Sequence, residues 1–347
     1  MTSSPRFRHV SGPVLSSLAL IVLLSGCAAA VPASAPSAPA VDLPTAMTPD
    51  AVEFAPLRGI EVPAGSLARP SLAVKIDNHE DARPQIGLER SDIVFEELVE
   101  GGLTRYVGVW HSDIPDLLGP VRSIRPMDPD IISPFGGIVA YSGGAEEFVE
   151  MMMIAPVVNS VFDLDDTGLF YRVDDKESPH DVVVKAAELV RRHADLPAPP
   201  QLFMYAATGS ASSATVKGDP VRAVNVTFSE SRWPGWNWDA ASQGYLRSQE
   251  GAPDLDGNGA QLAATNVLVL SVDIDWRYED IPKTTMIGSG EAWVCAGGRA
   301  LHGSWSKDSA TAPIVLTAHD GSVVELSPGN TWIELVPVAE GSVELQP

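Results

Sequence analysis

The chain has 347 residues, with 23 Lys and Arg against 45 Asp and Glu and a formal net charge of −22. That acidity excludes a broad phosphate-binding surface, because neutralising nucleic acid or anionic lipid takes clustered Lys and Arg. Two cysteines, Cys27 and Cys295, leave no room for a disulfide framework, so stability must come from core packing.

Residues 1–26 read as an export signal. Arg6 and Arg8 make a basic start, Val14 to Leu24 an apolar run, and Leu24-Ser25-Gly26-Cys27 a small-residue ending. The run is roughly 11 residues long, where a spanning helix needs about 20. The ending resembles the bacterial lipobox, in which the cysteine is lipidated and the peptide is cut just before it; the alternative is a plain secretory signal cut near Ala28 to Ala30. Lipidation implies palmitate-type acyl chains on Cys27 that anchor the chain at the extracytoplasmic face of the cell membrane, each buried CH₂ contributing about 0.8 kcal/mol. Residues 27–56 are rich in Ala, Pro and Ser and are expected to be a disordered tether.

The remainder divides, on composition and turn residues, into an α/β (mixed α+β) N-terminal domain at 57–195, a Pro-rich linker at 196–204, and a mainly antiparallel β C-terminal domain at 205–347. In the first, Leu72 to Ile76, Ile93 to Phe95, Tyr106 to Trp110 and Ile138 to Tyr141 are β-branched or aromatic runs that predict strands. Ala145 to Met153 has helix-forming composition, with Ser142 as its expected N-cap, and Val182 to His193 reads as an amphipathic helix. Gly101-Gly102 supplies a turn that permits positive φ. In the second, short β runs at Val221 to Phe228, Trp236 to Trp238, Tyr245 to Arg247, Thr265 to Val272, Gly290 to Cys295 and Thr331 to Pro337 predict an antiparallel sheet or sandwich, with the Trp residues packed in its core. Cys295 lies in an apolar run and is expected to be buried and inert.

Much of the polar chemistry that looks placed falls between Leu72 and Pro126. Lys75, Asp77, Asn78, Thr104, Arg105, Arg122, Ser123 and Arg125 are the candidate ligand-binding residues; Pro120 and Pro126 keep the last two arginines on a loop, both available to one anion. Asp77, Glu96, Glu97 and His180 are the candidate general acids or bases. Glu96 and Glu97 are adjacent on a predicted strand and so point to opposite faces, which lets at most one enter a given site. Asp254, Asp256 and Asn258 open like a calcium loop, but its twelfth position is Thr265 where a bidentate Glu is needed, so the motif is incomplete and a tight turn between strands is the preferred reading. Walker and Gly-x-Gly-x-x-Gly loops and a His/Cys zinc constellation are missing, and no cofactor is expected.

Five phrases in order, Lys75-Ile76-Asp77-Asn78, Ala82-Arg83-Pro84-Gln85-x-Gly87-Leu88, Ser91-Asp92-Ile93-Val94-Phe95-Glu96-Glu97, Gly101-Gly102-x-Thr104-Arg105 and Gly119-Pro120-Val121-Arg122-Ser123-x-Arg125-Pro126, closely resemble the YerB-type lipoprotein family of bacteria. Tyr245-x-Arg247, Thr265-Asn266-Val267, Gly303-x-Trp305-x-Lys307 and Pro328-Gly329-x-Thr331-Trp332 extend the resemblance to the second half. It departs at Pro179-His180-Asp181, where Pro-His-Asn is expected. The resemblance implies a surface-anchored lipoprotein of mixed α/β structure in two parts and of unknown function; it supplies no reaction. Three readings follow: a binding module for an anionic cell-envelope ligand through an Arg-rich pocket, an envelope hydrolase or transferase using Asp, Glu and His with Arg stabilisation, and a non-catalytic scaffold for envelope proteins.

Overall fold

The β-branched runs organise the molecule. The computed structural model describes residues 51–347, so the signal, Cys27 and the tether up to residue 50 lie outside the described residues. The last part of the expected tether is not free chain: Val52–Phe54 pairs with Glu61–Pro63.

One eleven-stranded sheet dominates. From the first half come β1 (Leu72–Asp77), β2 (Ile93–Leu98), β3 (Thr104–Trp110), β4 (Ile138–Tyr141) and β5 (Val158–Val161). From the second come β6 (Asp219–Pro220), β7 (Asn266–Val272), β8 (Gly288–Ala296), β9 (Arg299–Lys307), β10 (Val315–Ala318) and β11 (Thr331–Pro337). Their order is β6-β9-β8-β7-β11-β2-β3-β1-β4-β5, with β10 beside β9. The sheet therefore does not stop at the expected 196–204 boundary: β11 pairs in parallel with β2, setting Glu334 against Glu96 and Leu335 against Glu97. The described residues, 51–347, cluster as one unit.

Both faces of the sheet are covered, which is why strands β1, β2, β3 and β11 are buried at every residue. On one face Phe95, Val107, Ile333 and Leu335 meet Ile131 and Phe148 from the helices Asp128–Ile132 and Glu146–Met153. On the other, Val94, Tyr106 and Trp332 meet Val224, Trp236 and Tyr245 from a second, antiparallel sheet of six strands. Trp332 sits edge-on to both Tyr106 and Trp236, at 5.3 and 5.2 Å between ring centroids. In the second half Trp236, Trp305 and Trp332 are core residues as expected, whereas Trp233 and Trp276 are exposed; Trp110 of the first half is also buried.

The fold is mainly β, and the helical content expected of the first half is modest. The expected helix Val182 to His193 splits into a strand, Val182–Lys185, and a shorter helix, Ala186–Arg192. Three consecutive valines, stiff at χ1, pack well on a pleated surface and poorly in a helix. Ser142 is not the cap of the next helix, which starts at Glu146 behind Ala145. Gly101 and Gly102 both adopt positive φ in the turn from β2 to β3, as their pairing suggested. Cys295 is fully buried, and burial pushes its thiol up to about 12.

Because one sheet runs through both halves, heat should unfold residues 51–347 in one transition. Ile333→Ala on β11 removes a fully buried side chain and should cost about 2–5 kcal/mol, lowering that single transition in calorimetry. Two transitions, only one of them shifted, would show that the halves unfold separately.

Candidate functional site

Strand alternation sends Glu96 and Glu97 to opposite faces of β2, and each meets its own cation. Glu97 pairs with Lys75 on β1, and the same ammonium lies 2.8 Å from Asp128 Oδ1; all three side chains are buried. Burial, with Asp128 adding repulsion against the pull of Lys75, pushes Glu97 up to about 8. Across the sheet, Arg247 donates to Glu96 Oε2 at 2.5 Å and to Asp254, and its guanidinium stacks over Trp332 at 4.9 Å. Trp236 Nε1 donates to Glu334 at 2.7 Å, and burial beside Glu96 holds Glu334 well above the carboxylate range. Asn78 and Thr104 close this network: Thr104 Oγ1 donates to Glu96 Oε1 at 2.6 Å, and Asn78 Nδ2 donates to Thr104 Oγ1 at 2.8 Å. Arg247, Asp128 and Glu334 are the participants that the sequence did not single out as site residues.

A third group lies where β1 ends. Asp77 Oδ2 is 2.7 Å from His180 Nδ1 and 3.1 Å from Arg122 Nε, while Oδ1 accepts the backbone N–H of His79 at 3.2 Å. His79 stacks on His180 with centroids 4.5 Å apart and planes 20° apart. Beside them, Arg105 Nη1 donates to the Ser123 carbonyl at 2.8 Å, and Arg125 Nε donates to Glu100 Oε2 at 2.7 Å. Burial opposes ionisation of Glu100, yet Arg125 and Arg105 hold it down to about 2. Arg105 is itself pulled down to about 10 by burial and by the neighbouring Arg125, with Arg122 adding to the repulsion. Ser123 and Ser142 hydroxyls lie 3.3 Å apart, and Gly143 lets the chain pass Asp163, where a Cβ would clash.

Residues 57–197 match the family model described as "Protein of unknown function (DUF3048) N-terminal domain", and residues 224–333 match its C-terminal domain. The chain belongs to the YerB-type family. It is 29% identical over 299 residues to the Bacillus subtilis (strain 168) protein named "Putative lipoprotein YerB", covering 82% of this chain and 86% of that protein. The crystal structure of the YerB protein from Bacillus subtilis matches with a TM-score of 0.73 at 23% identity, over 84% of this chain and 99% of that one. That likeness concerns the fold. Family membership supports a lipid-anchored lipoprotein of unknown activity.

Seen on this YerB-type framework, the eight candidate binding residues divide. Asp77, Arg105, Arg122, Ser123 and Arg125 gather around the end of β1, whereas Lys75 belongs to the buried pair below it, and Asn78 and Thr104 to the network on the other face. Arg122 and Arg125 do not share one partner: the first faces Asp77, the second Glu100. Of the four acid–base candidates, Asp77 and His180 meet; Glu96 and Glu97 are buried and occupied by Arg247 and Lys75. Asp181, the departure from the family pattern, pairs with Arg172, away from the His180 contact. The calcium-like loop has spent its oxygens. Asp254 holds Arg247, Asp256 accepts the N–H groups of Gly87 and Leu88, and Asn258 Oδ1 accepts that of Ala260.

The raised Glu97 sets a pH dependence. Folded protein binds this proton more tightly than unfolded protein, whose Glu titrates near 4.5, so stability should fall as pH rises from about 4.5 through about 8. Denaturant unfolding of Glu97→Gln over that range should show a flatter profile than wild type. An unchanged slope would mean that Glu97 is ionised in the fold. Below neutrality Glu100 acts the other way, its contribution being lost as pH falls from about 4.5 toward 2.

Proposed function

We propose that this chain is an acyl-anchored lipoprotein at the extracytoplasmic face of the membrane, held through Cys27, and that Arg122, with Arg105, Arg125 and Ser123 around it, binds a phosphate or carboxylate group of the cell envelope. Charge balance carries the reading. Around the end of β1 three guanidinium groups, Arg105, Arg122 and Arg125, face two carboxylates, Asp77 and Glu100, while Lys75 below them has its own partner in Asp128. One positive charge is left uncompensated inside a protein of net charge −22. An incoming anion would relieve the repulsion that lowers Arg105, and guanidinium forks suit planar anions. Arg122 is the most exposed of the three arginines, with a side-chain exposure of 22%, and is the one an anion meets first. The Asp77–His180 contact supports a second reading, in which His180 is a general base oriented by Asp77 for hydrolysis or transfer on the same ligand.

Envelope location directs the choice of probes: sn-glycerol 3-phosphate for a teichoic-type polymer, and a muramyl peptide for a carboxylate. At about 100 times its Kd a ligand should raise unfolding free energy by about 2.7 kcal/mol, and Arg122→Ala should abolish that shift. A shift that survives Arg122→Ala, or none with either probe, contradicts the binding reading and favours a scaffold for envelope proteins. Turnover of a bound probe that survives both Asp77→Asn and His180→Ala would remove the general-base reading.

A further inference from the structure

His79, Asp81 and His180 each offer one donor atom, and the three atoms lie within 4.8 Å of one another. We propose that these residues bind a divalent transition-metal ion of the zinc type, in a site open to solvent on one side. Two imidazoles and a carboxylate form a donor set that suits zinc and leaves coordination positions for water or a ligand.

The support behind the donors makes this more than a chance cluster. Asp77, itself buried, holds His180 through Nδ1 at 2.7 Å, and a proton shared there leaves the Nε2 lone pair free. A carboxylate on the far nitrogen of an imidazole is the usual second layer of a histidine metal ligand, because it fixes the tautomer and raises the basicity of the ligating nitrogen. The other oxygen of Asp77 takes the His79 backbone N–H at 3.2 Å, so one buried carboxylate positions both ligand-bearing residues. His79 Nδ1 lies 3.4 Å from the Asp81 carboxylate and now accepts only the Asp81 N–H, a single bond to surrender when its ring turns from the stacked position onto an ion. Its Nε2 would then donate toward Glu80, 3.7 Å away. Zinc–nitrogen bonds are about 2.0–2.1 Å, so the donors must close by roughly 1 Å, which the exposed Asp81 and half-buried His79 allow. The neighbouring cations have their own partners, Arg122 on Asp77 and Arg232 on Glu80.

The site does not depend on the anion reading, since the metal can bind where no phosphate does. The test is calorimetric titration of ZnCl₂ into the metal-stripped full chain in detergent and phosphate-free buffer, with Co²⁺ absorption as a second readout. One ion per chain should bind, His79→Ala and His180→Ala should each weaken it by 100-fold or more, and Asp77→Asn by about 10–100-fold. His302→Ala should leave it unchanged; His302 belongs to a separate surface pair with His319. Co²⁺ should give an absorption band that His79→Ala, a change at a half-exposed side chain, alters without unfolding the protein. Absence of a one-to-one site, or one that survives the two histidine substitutions together, overturns the proposal. Loss on His302→Ala instead would place the ion elsewhere and overturn it as well.

Discussion

A strand that carries two adjacent carboxylates must turn them to opposite faces, and in a sheet covered on both sides each is then stripped of water. The structure answers this with two buried cations, Lys75 for Glu97 and Arg247 for Glu96. Desolvation makes either carboxylate expensive alone, and removing one partner of such a pair leaves a charge that neither water nor the core can accept. The Arg247 contact has the wider reach, because it comes from the second sheet and crosses onto a strand of the first half. Trp236 and Trp332 wrap the same guanidinium, so the polar contact and the aromatic packing fix one arrangement. Glu334, whose ionisation is opposed by burial and by Glu96, adds a third connection from β11 through Trp236.

This joint positions the end of β1. β1 is held between β3 and β4, and its last residue, Asp77, emerges beside the loops that carry Arg122 and His180. With the strands rigid on both faces, the carboxylate becomes a fixed point on which two histidines and an arginine converge. The anion reading uses the arginine side of that point, and the metal reading the histidine side. They are separate chemistries at adjacent positions, and a metal at His79 and His180 would add to the positive field that Arg122 presents.

What the sequence made legible follows from the range of each signal. Runs such as Ile138 to Tyr141 are strands by local chemistry alone, and the structure reproduces that one to the residue. The opposite facing of Glu96 and Glu97 is also local, since it needs only the two-residue period of a strand. Val182 to Val184 defeated the pattern because a short apolar run fits a helix face and a buried strand equally. The pairing of β11 with β2 was beyond reach for another reason: it joins segments from the two ends of the fold, and hydrophobic pattern carries no information on which strands become neighbours. The same limit hid the roles of Arg247 and Glu334. Asp77 and His180 were both candidates, yet nothing in their local sequence placed them in contact, and His79 became notable only when the fold laid it against His180. The calcium-like loop shows the limit of spacing alone. Its spacing suggested cation ligands, while the fold had committed those oxygens to Arg247 and to backbone N–H groups.

The central claim is that the Glu96–Arg247 pair locks the two halves into one body. A double-mutant cycle on unfolding, with Glu96→Gln, Arg247→Met and the combination, tests it most directly. The account predicts strong coupling: each single change destabilises, and the double variant is less damaged than the sum by about 1–3 kcal/mol. Additivity to within about 0.5 kcal/mol would contradict it, and would assign the union of the halves to strand pairing and aromatic packing alone.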